Sequence, residues 1–406
     1  MEYTPYSPDM TYTDSGHRVF DCDFHLYEGA DAFTRYLPEE HKGLVRMANV
    51  DGRTKMIIRG KVSDYIPNPT FQVVAEPGSA AEYFSGRNTE GKSYREIVRP
   101  MKAIPEFTDP DARLALIDRM HIQSIVNFPT LASLLEVSFI DDPIGTQALI
   151  HAFNQWLYDE WTFDYQGRIF TTPVINLATA EGAVAELEWV LERGAKTVLV
   201  RPGPVAGFRG PRSPFLPDSD PFWARVQEAG IPVMMHASNS GYQRYANEWS
   251  GADREMRPFE QDLFAIVSQT HRPIIDTVLS AVCHGMLARF PGVRIGSIEN
   301  GGVWMRTVVE DLLDGFGKMP HLFAEPPLET LRRSLYVAPY WEEPLEPLIE
   351  TIGLDHILFN SDWPHPEGLA EPRRFVEYLP KSLSEDEVAG IMGGNLARVM
   401  KVGVPV

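Results

Sequence analysis

Cysteine is nearly absent: only Cys22 and Cys283 occur in 406 residues. That excludes a disulfide-stapled fold and leads us to expect two reduced, buried thiols in a cytoplasmic protein. Basic residues are scarce too, 37 Lys and Arg against 56 Asp and Glu, for a net charge of −19. Nucleic acid and anionic membrane surfaces are therefore poor partners, because both repel a strongly acidic chain. No apolar run approaches the roughly 18 residues of a membrane span. The start, Met1-Glu-Tyr-Thr-Pro-Tyr-Ser-Pro-Asp, has neither the basic head nor the apolar middle of a signal peptide. What the chain does have is apolar bulk, 44% of its residues, enough for a large core in one domain spanning 1–406.

Short β-branched runs alternate with helical patterns, the signature of a parallel sheet with helical crossovers. Eight candidate strands fall at about 18–25, 122–128, 168–175, 196–201, 231–236, 293–299, 334–338 and 356–362. Helices are expected at 111–120, at Ala180–Arg193 before Gly194, and at Pro273–Phe290 before Pro291-Gly292. Eight strands with eight crossovers fit an α/β (β/α)8 TIM barrel better than an open sheet. Two stretches interrupt the repeat, about 49–105 and 203–220. Both follow strand C-termini, and loops of such length are usually lids or binding loops. Tyr65, Phe71, Phe208 and Phe215 within them point to packing rather than disorder.

The strand ends carry the chemistry. Asp23 and His25 close the first strand, His236 the fifth, Glu299 the sixth and Asp362 the eighth. In a parallel barrel such ends converge at one mouth, where these folds keep their active sites. Nitrogen and oxygen donors gathered there suit a divalent metal ion. Alternate residues on a strand face one side, so Asp21, Asp23 and His25 point together, with Asp21 a layer deeper. Asp21 either orients a ligand from behind or bonds buried backbone amides. A carboxylate on a buried strand, as at Glu299, needs a partner or an ion.

Other candidates carry open alternatives. His365, three residues past Asp362, binds substrate, orients Asp362 or takes part in catalysis. Glu28 is a ligand, an ion-pair partner or a solvated loop residue. Arg201 ends the fourth strand and suits a substrate carboxylate or a structural ion pair. Trp304 and Trp363, with Tyr242, Trp249 and Phe208, follow strand ends and form either an aromatic substrate cage or core. Arg209, Arg212 and Arg244 either reach the phosphates of an acyl-CoA or are surface arginines.

The pattern Asp21-x-Asp-x-His, Phe128-Pro-Thr, Met235-His, Arg289-Phe-Pro-Gly-Val-Arg, Asn360-Ser-Asp-Trp-Pro-His and Gly394-Asn-Leu-Ala-Arg resembles the amidohydrolase superfamily. It is most similar to the amidohydrolase-related (amidohydrolase 2) branch that includes aminocarboxymuconate-semialdehyde decarboxylase and the resorcylate-type decarboxylases. The resemblance implies a distorted barrel with one or two divalent ions at its mouth. Asp23 and His25 would supply the strand-one ligands, His236 the strand-five ligand and Asp362 the strand-eight aspartate. Two positions depart from the family: Asp23 replaces the first histidine of His-x-His, and Glu299 stands where the decarboxylases keep an acid–base histidine. Added carboxylates favour iron, manganese or zinc over copper. A thioester-hydrolysing branch with a dinuclear iron centre is similar in outline.

Three functions follow as expectations. The first is metal-dependent hydrolysis of an acyl bond (amide, ester or thioester), with Asp362 or Glu299 as base toward a metal-activated water. The second is non-oxidative decarboxylation of an aromatic or unsaturated acid by the same ligands. The third is a metal-free binding barrel, disfavoured because unpaired polar groups in an apolar core destabilise it. A small-molecule substrate and a homo-oligomer complete the expectations.

Overall fold

The computed structural model describes residues 16, 18–63, 65, 68–208, 210–257 and 263–403. Its strands in chain order are β1 Phe20–Leu26, β2 Val45–Val50, β3 Arg53–Ile58, β4 Lys61–Val62, β5 Val73–Ala75, β6 Pro100–Lys102, β7 Ser124–Pro129, β8 Ile169–Thr171, β9 Val198–Leu199, β10 Val233–His236, β11 Ile295–Ile298 and β12 Leu335–Val337. β1, β7 and β8 pair in parallel, as do β9, β10, β11 and β12.

Backbone bonds join these two arcs into a ring. Leu199 N donates to Pro173 O and Ile175 N to Leu199 O, each at 2.8 Å. On the other side Leu358 N donates to Val337 O, while Cys22 N donates to Phe359 O and His25 N to Trp363 O. The stretch 357–363 is thus the eighth barrel segment, although its pairing is too sparse for a regular strand. Seven of the eight expected strands are present, the eighth is an irregular segment, and backbone bonds close the ring. β10 and β11 are buried at every residue, as parallel strands beneath a helical layer must be.

Local chemistry explains the helices. Asp109 accepts from Ala112 N and Pro110 opens the helix Pro110–Arg119, a side-chain cap followed by a pre-set φ. Thr179 caps Ala180–Leu191 by accepting from Gly182 N. The expected helix at 273–290 is instead two, Arg272–Cys283 and Met286–Arg289, because Gly285 takes φ +70° between them. Cys22 is buried, but Cys283 is exposed at that break, so only one of the two thiols is a core residue. No helix among the described residues is long and apolar enough to cross a membrane.

The two long stretches behave differently. The first folds into the antiparallel sheets β2–β3–β4 and β5–β6. It is pinned onto the loop after the eighth segment, with Gly78 N donating to His365 O and Ala80 N to Pro366 O. Tyr65, Phe71 and Tyr94 from it line the cavity at the barrel mouth. The second stretch packs away from that cavity. Phe215 is fully buried against Trp223, and Ser213 bonds Ser280 on the helix Arg272–Cys283. No described residue of 203–220 lines the cavity, which corrects the expectation that both would cover the mouth.

Gly393 marks where the C-terminal helices meet β1. A Cβ there would lie 2.8 Å from Phe20 N and 3.0 Å from Arg18 O, backbone atoms that cannot step aside. Gly393→Ala is expected to destabilise the fold by about 1–3 kcal/mol. Gly394→Ala, whose Cβ approaches no nearer than 3.4 Å to Ala389 O, should cost less. Equal denaturation midpoints for the two variants would refute this packing account.

Candidate active site

β1 is bulged between Asp21 and Phe24 where it pairs with β7. A bulge leaves a backbone amide without its ladder partner. Asp21 supplies one: its Oδ1 accepts from Asp23 N and from Ser361 N, each at 3.0 Å. The buried Asp21 therefore fixes the backbone on both sides of the mouth, one residue before Asp362 and at Asp23 itself. Of the alternatives open for this residue, binding backbone amides is the one the structure displays.

Above it the imidazoles meet. His25 Nε2 lies 2.9 Å from His236 Nε2, and Asp23 Oδ1 lies 3.3 Å from each. Glu299 Oε2 is 3.1 Å from His236 Nε2, and Asp362 Oδ1 is 3.6 Å from His25 Nε2. His236 Nδ1 stands 2.7 Å from the Ala237 carbonyl, which only accepts, so Nδ1 donates there and Nε2 faces the cluster. Adjacent ligands on an ion with bonds of about 2.1 Å are separated by about 3 Å, the spacing seen here. Asp23 Oδ2 and Asp362 Oδ2 are buried without a hydrogen-bond partner. The donor set fits a divalent ion.

A second group of carboxylates borders the first. Ligand atoms of Glu299, Asp362 and Glu367 lie within 4.8 Å of one another. His365 Nδ1 bonds Asp362 Oδ1 at 2.7 Å, and the His365 ring lies 4.1 Å from that of His25, centroid to centroid. Electrostatics sorts these groups. Burial would raise the Asp23 carboxyl, but the His236 charge and bonds from both imidazoles hold it well below the usual carboxylate range. Burial pushes Glu299 and Asp362 well above that range, reinforced by Asp362 on Glu299 and by Glu367 on Asp362. Glu367 is raised by the same desolvation. Burial and the neighbouring His365 keep His25 neutral, while Glu299 and Asp23 raise His236 against its own burial. The site thus pairs one carboxylate whose neighbours favour its ionised form with others whose burial disfavours ionisation.

Both Glu299 and Asp362 take left-handed φ, 54° and 55°. For residues with a side chain that conformation costs free energy, and such positions gather at functional sites. Glu299 is held there by its neighbours. Tyr340 donates its hydroxyl to Glu299 O at 2.9 Å, and Glu343 accepts from Gly302 N and Tyr340 N.

Four expected site residues lie elsewhere. Trp363 is fully buried, stacked on Phe24 with the Arg113 guanidinium 4.8 Å from its ring. Trp304 is buried and donates to Gly301 O, covering the turn instead of the cavity. Arg201 is buried behind the wall, 3.9 Å from Glu136 and bonded to Asn239 O and Pro204 O. It is the structural ion pair rather than an open carboxylate site. Glu28 accepts from Leu131 N and Ala132 N and orders the loop after β7. Tyr242 does reach the cavity, while Phe208 and Trp249 are exposed. Arg212 and Arg244 pair with Asp218 and Glu248 at the surface, and Arg209 lies outside the described residues. Glu367 was missed, although the run Asp362-Trp-Pro-His-Pro-Glu-Gly contains it; its spacing gave no hint that the loop folds back.

A family model described as amidohydrolase matches residues 20–401. The chain belongs to the amidohydrolase family. Among solved structures this amidohydrolase is similar to an amidohydrolase from Mycobacterium avium subsp. paratuberculosis K-10, at 39% identity and TM-score 0.90, covering 96% of this chain and 99% of that one. Its fold is also similar to a dihydroxybenzoic acid decarboxylase from Polaromonas sp. JS666 with bound manganese and 2-nitroresorcinol (16% identity, TM-score 0.58, 95% and 97% covered). A 5-carboxyvanillate decarboxylase from Novosphingobium aromaticivorans DSM 12444, complexed with manganese and 4-hydroxy-3-methoxy-5-nitrobenzoic acid, is similar too (14%, TM-score 0.61, 98% and 100% covered). A search of the curated proteins finds no match.

Glu28 supplies a test of the buried electrostatics. Desolvation pushes its carboxyl from 4.5 up to about 8. The folded state therefore holds the proton more tightly than the unfolded one. The resulting stability is complete below about pH 4.5 and lost as pH rises through about 8. Glu28→Gln keeps the acceptor without the titration. Its melting temperature should gain on the parent's steadily from pH 5 to 8, and a gap constant across that range would refute the assignment.

Proposed function

We propose that this amidohydrolase is a metal-dependent, non-oxidative decarboxylase of an aromatic carboxylic acid. The observation that carries the reading is the pairing of two groups at one cavity floor: a metal-type donor set and, against it, the clustered carboxyls of Glu299, Asp362 and Glu367, whose burial disfavours ionisation. The fold likeness to manganese-containing aromatic acid decarboxylases supports it. Decarboxylation thereby replaces acyl hydrolysis as the preferred chemistry.

Asp23, His25 and His236 would hold the ion, with Asp362 beside them, and manganese is the ion to test first. When bound, it supplies a positive charge that anchors the substrate carboxylate and a neighbouring oxygen. Glu299 carries the proton at Oε2 and delivers it to the ring carbon. As the bond from that carbon to the carboxylate breaks, its electron pair stays on the ring and carbon dioxide leaves. Asp362 and Glu367 adjoin Glu299 and return a proton from solvent. His365 holds Asp362 Oδ1 in place. Glu299 thus takes the role that a histidine has in the decarboxylases this chain resembles.

One observation favours hydrolysis as the second reading: the substitution of a carboxylate for that histidine leaves a base suited to activating water. Products separate the two. Manganese-loaded protein given hydroxylated benzoates in deuterated water should release carbon dioxide and leave deuterium on the vacated ring carbon. Acid released from esters or thioesters with no carbon dioxide from any acid would overturn the proposal. Glu299→Gln should lower kcat by about 10²–10⁴-fold, the usual worth of a positioned general acid, with metal content kept.

The metal assignment has its own check. His236→Ala should lower the manganese retained after dialysis at least about tenfold, since removing a ligand costs no less than removing its supporting partner. Unchanged metal content would refute the ligand role.

A further inference from the structure

The cavity above the site holds about 1000 Å³, at the upper end of the roughly 300–1,000 Å³ typical of small-molecule sites. An apolar cavity of about 150 Å³ already accommodates benzene. A one-ring acid would leave most of this space filled with water against apolar walls. Those walls are Tyr65, Phe71 and Tyr94 from the insertion, Leu134 after β7, and Ile266 and Trp341 from later loops. The site groups His25, His236, Glu299, Asp362, His365 and Glu367 form its floor, and Glu342, His271 and several tyrosines also line the space. No arginine or lysine is among the described lining residues. Arg87 comes near, 5.5 Å from the Trp341 ring, but does not line the space.

We propose that the cavity is built for a bulky carboxylic acid of two or more fused rings, or comparable apolar bulk, whose single anionic group sits at the floor. Resting on the reading of the floor as a carboxylate-binding metal site, this names the substrate class. A second anionic group such as a phosphate would be desolvated against aromatic rings with no counter-cation, at large cost. The phosphates of a coenzyme A thioester are therefore disfavoured inside the cavity. The net charge of −19 disfavours such ligands further.

The test is equilibrium binding to manganese-loaded protein, by calorimetry, of benzoate, 2-naphthoate and anthracene-2-carboxylate, with naphthoyl-coenzyme A as the polyanion. Affinity should rise at least about tenfold with each fused ring, because each adds about four buried carbons. Naphthoyl-coenzyme A should bind at least tenfold more weakly than 2-naphthoate. Leu134→Trp, which fills part of the wall away from the floor, should weaken anthracene-2-carboxylate at least tenfold and benzoate less than threefold. The parent's ring series decides alone if that variant does not fold. A flat series, or preference for the coenzyme A ester, overturns the inference. Carbon dioxide from one-ring acids with a flat series would sink the inference and leave the decarboxylase reading standing. A rising series without carbon dioxide release from any acid would do the reverse.

Discussion

The site depends on a crowding of donor atoms built into the barrel mouth. Two imidazole nitrogens stand 2.9 Å apart with one ionised carboxylate 3.3 Å from both, a packing of buried donor atoms that a cation would hold together. The Nδ1 proton of His236 is committed to a backbone carbonyl. Burial makes extra protons on His25 costly. A shared cation would satisfy all three atoms at once. Everything around the cluster serves to keep it in place: the bulge in β1, the Asp21 carboxylate that patches it, and the eighth segment tied back to β1 by Cys22 and His25 amides.

That arrangement explains which features were legible in the sequence. The strand-end residues Asp23, His25, His236, Glu299 and Asp362 were found because a parallel barrel converts position along a strand into position at the mouth. The eight barrel segments were legible for the same reason, since buried parallel strands read as short apolar runs. The insertion at 49–105 was visible through its composition, and its aromatics do line the cavity.

What failed was the direction of side chains in loops. Trp304, Trp363 and Arg201 follow strand ends just as the site residues do, yet all three turn into the interior. For Trp363 the deciding contacts are Phe24, on which it stacks, and the Arg113 guanidinium over its ring, both far away in sequence. For Arg201 the deciding partner, Glu136, lies 65 positions away at the start of the short helix Glu136–Phe139, and nothing local encodes it. Glu367 failed oppositely: its loop returns it to the site through contacts with the insertion, Gly78 to His365 and Ala80 to Pro366, that no local pattern specifies. The long stretch 203–220 had the composition of a lid and instead packs on the helix Arg272–Cys283.

The two left-handed carboxylates show how far the mouth is predetermined. A strand ending in ordinary extended backbone would continue its alternation and send the next side chain along the barrel wall. At Glu299 and Asp362 the turn to φ near +55° swings the chain off that course. The conformation is costly for a residue with a Cβ, so other contacts must hold it. At Glu299 these are the Tyr340 hydroxyl and the amides gathered by Glu343. At Asp362 they are the His365 ring and the close backbone approach of Gly368, where a Cβ would meet Ser361 O at 2.3 Å. Each strained carboxylate is thus fixed by the loop that follows a barrel segment, which couples these two carboxyls to loop packing. The donors Asp23, His25 and His236 stand on regular strands, whereas Glu299 and Asp362 stand at the ends of barrel segments whose conformation the following loops hold, so a change in those loops bears first on these carboxyls.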